Sequence, residues 1–275
     1  MAGGKLLPND ENREWRSKED KMNFAVIGGT GFYGFIPGVR TEGVVTPYGA
    51  VAVDRGIVEG VEVAFLPRHG REHNVPPHRV NYRANLAALQ ALGVKNILAS
   101  AAVGTMTEAM PPGSLATLTQ FLDFTRGRES TFYDGADGRV VHTDMTEPYC
   151  PHLRGELLAA AQATGEALLA EAVYVCAEGP RFETPAEIRM FHQLGGDLVG
   201  MTSVPEVVLA REAGICYASV AIATNWAAGV SPAAVQHKEV SNFMEQQAPR
   251  VTALFKRVIR AHAEIECGCR ERPEG

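Results

Sequence analysis

The sequence predicts a single α/β domain, a mixed and largely parallel twisted β-sheet flanked by helices. Two observations carry that reading. Short apolar runs alternate with helical stretches from Asn23 onward, the order expected when helices pack on a mainly parallel sheet. No repeat, linker or break in composition divides the chain, and its 275 residues suffice for one large core.

Asn23–Ile27 reads as a buried strand that delivers the glycine-rich turn Gly28-Gly29-Thr30-Gly31. Strands follow at Val51–Val53, Ile57–Val58 and Val61–Leu66, the last ending at Pro67-Arg68-His69-Gly70. Val80–Leu92, with Leu86, Leu89 and Leu92 on one face, reads as an amphipathic helix before a strand at Asn96–Ala102. The same helix-then-strand order repeats in Leu153–Leu169 before Ala172–Ala177, and in Pro205–Glu212 before Ile215–Ala223. Pro185–Leu194 is a further helix, closed by Gly195-Gly196. The last helix presents Val251, Leu254, Phe255, Val258 and Ile259 on one face, with Pro249 suited to its first turn. Residues 1–22 are polar and read as a disordered leader or tag, 23–265 as the domain and 266–275 as a tail.

Composition excludes several classes. A net charge of -6 disfavours a nucleic-acid binder but not one local anion pocket. No apolar stretch approaches the ~18 residues of a membrane span, and the leader has no signal-peptide core. The chain reads as cytoplasmic. Of five cysteines, Cys176 and Cys216 sit in apolar runs. Cys267-Gly268-Cys269 reads either as two exposed thiols or as a strained local disulfide. The absence of two C-x-x-C pairs argues against a zinc ribbon.

Gly29–Gly34 fits G-x-G-x-x-G, with Asp54 at a ribose-binding distance. A dinucleotide fold needs a helix after the glycines, and Pro37, Gly38, Gly43, Pro47 and Gly49 forbid one. An anion turn fits better, with backbone N–H groups converging and Thr30 adding a hydroxyl. Arg68 and His69 follow a strand end, where parallel sheets place their sites; alone they would read as surface residues. His69, Glu72, His73 and His78 invite a metal, yet Pro76-Pro77 breaks the helix their spacing would need. Ala101–Gly104 offers small residues through which backbone amides can approach a ligand, or simply tight core packing. No G-x-S-x-G supports a serine hydrolase.

The strings IGGTG, TPYG, FLPRHGREHNVPPHRVNYRANL, AVGT, PGSL, QFLDFT, HTDMTEPYC, CAEGPRFETPAEIRMF and GMTSVPEVVLAREAGICYASVAIATNWA occur in this order. Together they resemble the trimeric purine nucleoside phosphorylases, and within them the methylthioadenosine phosphorylase branch. The resemblance implies attack of inorganic phosphate on C1′ of a purine nucleoside, with no metal or organic cofactor. It implies phosphate among Thr30, Arg68, His69, the Ala101–Ala102 backbone and Thr202. Met201 would face the ribose and Phe182 would stack on the base. His142 matches a residue that the neighbouring subunit of a homotrimer lends to the 5′ end of the sugar. The Cys-Gly-Cys also resembles pairs in heat-stable members.

Specificity turns on departures from the branch. Members that cleave 6-aminopurines carry aspartates at the positions of Asn225 and Ala227. Asn225 can donate to O6 and N7 of a 6-oxopurine, Ala227 removes an acceptor, and Glu183 can accept from N1–H. Inosine and guanosine are therefore expected over adenosine. His237 resembles the histidine that binds the 5′-hydroxyl; otherwise it is a solvent-facing residue of a first helical turn, and methylthioinosine becomes a candidate substrate. Within the family, S-methyl-5′-thioinosine or S-methyl-5′-thioadenosine phosphorolysis is the alternative activity. A non-catalytic nucleoside- and phosphate-binding protein is the reading from another class. A nucleoside hydrolase would need an aspartate-rich calcium site, which the sequence lacks.

Overall fold

The structure, a computed structural model, describes residues 22–232, 234–261 and 267–270. In chain order the elements are β1 (Phe24–Gly28), β2 (Arg40–Thr46), β3 (Gly49–Val58), β4 (Val61–Pro67), α1 (Tyr82–Ala91), β5 (Asn96–Thr105), β6 (Leu115–Thr117) and β7 (Gln120–Phe124). They continue as α2 (Pro151–Thr164), β8 (Leu168–Leu169), β9 (Val173–Ala177), α3 (Pro185–Gln193), β10 (Leu198–Gly200), α4 (Ser203–Glu212), β11 (Cys216–Trp226) and α5 (His237–Ala261). All strands join one mixed sheet in the order β2-β3-β4-β1-β5-β10-β9-β7, with β11, β6 and β8 branching from β5. The pairs β1–β4, β1–β5, β5–β11, β9–β10, β7–β9 and β6–β8 are parallel. The α/β expectation holds.

Alternation along the strands feeds two cores. Ala25 and Ile27 of β1 join Leu86 and Leu89 of α1 and Val204 and Val207 of α4 on one face. Phe24 and Val26 join Leu153 and Leu157 of α2 and Val251, Leu254 and Phe255 of α5 on the other. A period of two in the strands thus divides the helices between the faces.

The chain departs from its sequence reading in several places. The helix read as Leu153–Leu169 stops at Thr164, because Gly165 takes a left-handed φ of 70° and caps it; Leu168–Leu169 instead pairs with β6. The two short strands at Val51 and Ile57 are one, β3, continuous through Gly56. A Cβ there would lie 2.4 Å from Ile36 Cγ2, so glycine lets Ile36 pack over the strand. The edge strand β2 buries only Val44 and gave no apolar signal. Pro249 lies inside α5 rather than in its first turn. It removes one backbone donor at about 3 kcal/mol, but seven apolar residues of α5 from Met244 to Ile259 are buried, and the six larger than alanine each contribute up to about 1.5–3 kcal/mol.

The leader reading falls on residues outside those described, except Met22, which is fully buried in the core. In the tail, Cys267 packs against the second core and Cys269 is buried in it, so neither is a free surface thiol, and neither is paired. Residues 266 and 271–275 lie outside those described. Among the described residues no helix is long and apolar enough to cross a membrane.

Candidate functional site

The sheet forks at β5. On one edge β5 pairs with β11 along its whole length. On the other it pairs with β1 only through Asn96–Ala99 and with β10 only at Gly104 and Thr105. From Ser100 to Val103 that second edge has no strand partner among the described residues. β1 has ended there in the Gly29–Gly31 turn, and β4 in Arg68-His69. A cavity of about 430 Å³ opens at this fork.

Eleven of the thirteen site residues expected from sequence line it: Thr30, Arg68, His69, Ala102, Phe182, Glu183, Met201, Thr202, Asn225, Ala227 and His237. Ala101, expected to contribute through its backbone, is not among them, and its side chain is buried. Nor is His142; it is exposed on the long segment between β7 and α2.

The floor of the cavity is electrostatic. Arg68 lines the cavity but is buried, and most of its guanidinium is engaged within the protein. Nε and Nη2 close on the carboxylate of Glu206, at 2.5 and 2.8 Å, while Nη1 donates to Ser100 O at 2.9 Å. Tyr217 Oη donates to the same carboxylate at 2.8 Å. Of the five guanidinium N–H groups, one each on Nη1 and Nη2 remains for a ligand. Thr202, at the N-cap of α4, makes no capping bond with its side chain, so its hydroxyl is available where the helix dipole favours an anion. Gly31 has a φ of 85°, and a Cβ there would meet Ala248 Cβ at 2.8 Å, so only glycine lets the turn sit against α5.

His69 Nδ1 lies 2.9 Å from Val75 O. Burial, reinforced by the charge of Arg68, lowers its pKa to about 4. The ring is therefore neutral at pH 7, with Nδ1–H donating to Val75 O and Nε2 left as an acceptor. Such a ring accepts a hydrogen bond from a protonated phosphate oxygen or a sugar hydroxyl; it donates nothing to a bare oxyanion.

The opposite wall is built for a planar polar ring. Asn225 sits beside a β-bulge in β11. Its Oδ1 lies 2.8 Å from the Thr224 hydroxyl and its Nδ2 donates to Trp226 O at 2.8 Å. The carboxamide is thereby oriented, with one N–H uncommitted. Glu183 Oε1 is buried with no hydrogen-bond partner among the described residues, and burial raises the carboxyl's pKa. Ala227 is buried, and its N–H donates to Thr105 O at 2.9 Å. Phe182 is 37% exposed at the rim.

Sequence reasoning missed several parts. Arg128, with its side chain only 2% exposed, donates to Met201 O at 2.7 Å and to Glu178 O at 2.6 Å. It fixes the loop carrying Met201, and nothing local in its sequence signals this. His73, a metal-ligand candidate by sequence, belongs instead to a cluster of rings at the cavity. Its Nδ1 lies 2.7 Å from Tyr33 Oη, and its ring 4.8 Å from that of His69 and 6.2 Å from that of His237. His237 opens α5 and is exposed, yet it lines the cavity.

Residues 23–260 match the model of the phosphorylase superfamily. A relative in Dictyoglomus turgidum named as a probable 6-oxopurine nucleoside phosphorylase is 51% identical, over 90% of this chain and 95% of its own. One in Methanopyrus kandleri named as a probable S-methyl-5′-thioinosine phosphorylase is 50% identical, over 91% and 97%. The solved methylthioadenosine phosphorylase of Schistosoma mansoni, in complex with adenine, superposes with a TM-score of 0.83 at 36% identity, covering 88% of this chain and 91% of that one.

Proposed function

The chain belongs to the phosphorylase superfamily, and from that premise we propose that it cleaves 6-oxopurine nucleosides with inorganic phosphate, releasing free base and ribose 1-phosphate. One observation carries the choice of base: the buried, unpartnered Glu183 Oε1 in a cavity shared with Asn225. A 6-oxopurine brings an N1–H donor to that oxygen. A 6-aminopurine brings an unprotonated N1, which would set two acceptors against each other. The relatives named for 6-oxopurine nucleosides and for thioinosine share this base class.

Phosphate enters beside Thr30, Thr202, the free N–H groups of Arg68 and the open edge of β5. A phosphate oxygen forms the new bond to C1′ as the C1′–N9 bond breaks, and that electron pair leaves with the purine. The phosphate's charge stabilises the cationic sugar. The uncommitted Asn225 N–H stabilises the anion growing over N7 and O6, and N7 then takes up a proton from solvent, balanced by the one that the phosphate hydroxyl gives up on becoming the ester. Phe182 covers the base and Met201 the ribose. No step calls for a cofactor.

At the 5′ end, His237 and His73 provide polar groups suited to a hydroxyl. We place His142 at the same end of a neighbouring subunit's sugar, in a homotrimer, because it is exposed and lies outside its own cavity. Five unpaired cysteines suit the reducing cytoplasm.

A panel of inosine, guanosine, adenosine, methylthioadenosine and methylthioinosine, with and without phosphate, tests the reading. Inosine and guanosine should react fastest, and only with phosphate. Faster cleavage of adenosine overturns the base assignment, and base release without phosphate overturns phosphorolysis. Binding without turnover would make the protein a sensor.

A further inference from the structure

Far from the cavity, Cys150, Cys216, Cys267 and Cys269 bring their sulfurs within 4.8 Å of one another. We infer that these residues form a structural tetrathiolate zinc site that clasps the C-terminal segment to the sheet.

The convergence is built by three separate parts of the fold. Cys150 is the N-cap of α2, and its backbone N–H donates to Tyr217 O at 2.8 Å, which sets it beside Cys216 at the start of β11. Cys267 and Cys269 flank Gly268 in a short 3-10 turn closed by Arg270 N–H donating to Cys267 O at 3.1 Å. Cys150 Sγ lies 3.6 Å from Cys267 Sγ. Zinc–sulfur bonds of ~2.3 Å place tetrahedral sulfurs about 3.8 Å apart, so a small contraction closes the shell. Pattern-reading for C-x-x-C pairs could not find this site, because two of its ligands lie far apart in sequence and meet only in the fold.

The surroundings suit the charge. Four thiolates around a divalent ion carry a net charge of about -2. Arg211 acts electrostatically on Cys269. Arg211 Nε and Arg270 Nε and Nη2 are buried with no hydrogen-bond partner among the described residues. Leu153 N–H lies 3.5 Å from Cys150 Sγ, a donor of the kind that supports a ligating sulfur. On binding, each thiol releases its proton to solvent and gives a sulfur lone pair to the ion; nothing is oxidised or reduced. Cys216 and Asn225 sit near opposite ends of β11, roughly 30 Å apart at strand rise, so the ion serves the fold and not the reaction.

The test is metal analysis of protein purified under reducing conditions without chelator, followed by cobalt titration of the metal-stripped chain. The result expected is about one zinc per chain and a thiolate-to-cobalt charge-transfer band, both lost in the Cys267→Ser/Cys269→Ser variant while phosphorolysis at moderate temperature persists. Wild-type protein with no zinc and no cobalt band overturns the proposal, whether its thiols titrate as free or its mass shows them joined as disulfides. Because this measurement needs only the unmodified protein, misfolding of the variant would not rescue the idea.

Discussion

Arg68 and Glu206 form a two-pronged ion pair in which both side chains are at most 3% exposed. The guanidinium is thus fixed before phosphate arrives, and the charge it offers is already half spent. Removing Glu206 would leave a buried, uncompensated cation, at about 3–5 kcal/mol. Glu206→Ala should lower Tm by roughly 10 °C, and it should raise the KM for phosphate as the guanidinium loses its register. Glu206→Gln should lose less stability but show the same KM effect. Thermal melts and steady-state kinetics check both; an unchanged phosphate KM would detach Arg68 from the anion.

Asn225→Asp reverses the polarity of the base wall. Inosine should lose kcat/KM by roughly ten- to hundredfold, the cost of a mismatched buried polar group, while adenosine improves. Competition between the two nucleosides at equal concentration reads the switch directly.

Glu183 carries opposite consequences for stability and activity. Its raised pKa means that the folded chain holds a proton more tightly there than the unfolded chain does. The ionised carboxylate therefore costs stability above the folded pKa, and that cost disappears as pH falls below the unfolded value. Glu183→Gln should raise Tm at neutral pH, yet weaken 6-oxopurine binding, since the amide can satisfy N1–H only through a weaker neutral acceptor. In the wild type, inosine binding should fall as pH drops through the raised pKa. Calorimetric titration across mildly acidic pH follows that loss.

His69 runs the other way. Its folded pKa of about 4 lies below the ordinary 6.5, so acid protonates the unfolded chain first. Stability is complete above pH ~6.5 and drains away toward pH ~4, by up to about 3 kcal/mol. His69→Gln should flatten that part of the pH–stability curve. A wild-type imidazole resonance that titrates near neutrality in phosphate-free buffer would contradict the assignment.

Opposing behaviour is also expected at His237. Its replacement by leucine should raise the KM for inosine and lower that for methylthioinosine, because a thioether prefers an apolar neighbour. Parallel kinetics with the two substrates decide it.

Much of the site was legible because its parts are local strings ending at strand tips: the turn at Thr30, the pair Arg68-His69, the helix start at Thr202. What stayed hidden is non-local. Glu206 reads as one more polar residue of a helix until folding sets it against Arg68, 138 positions away. Arg128 lies in a segment without regular structure and acts through carbonyl groups that no sequence pattern reveals. The strands without a sequence signal, β2, β6, β7, β8 and β10, are an exposed edge and runs of two to five residues, too polar or too short for periodicity to register.

The gap in β5 between Ser100 and Val103 has a cost beyond catalysis. A central strand with an unfinished ladder is a standing invitation to any extended peptide, and a segment that completed it would gain hydrogen bonds and give a sturdier molecule. That molecule would be inert. Durability and turnover compete here for the same few peptide groups, so stabilising this fold through its most interior strand would silence it.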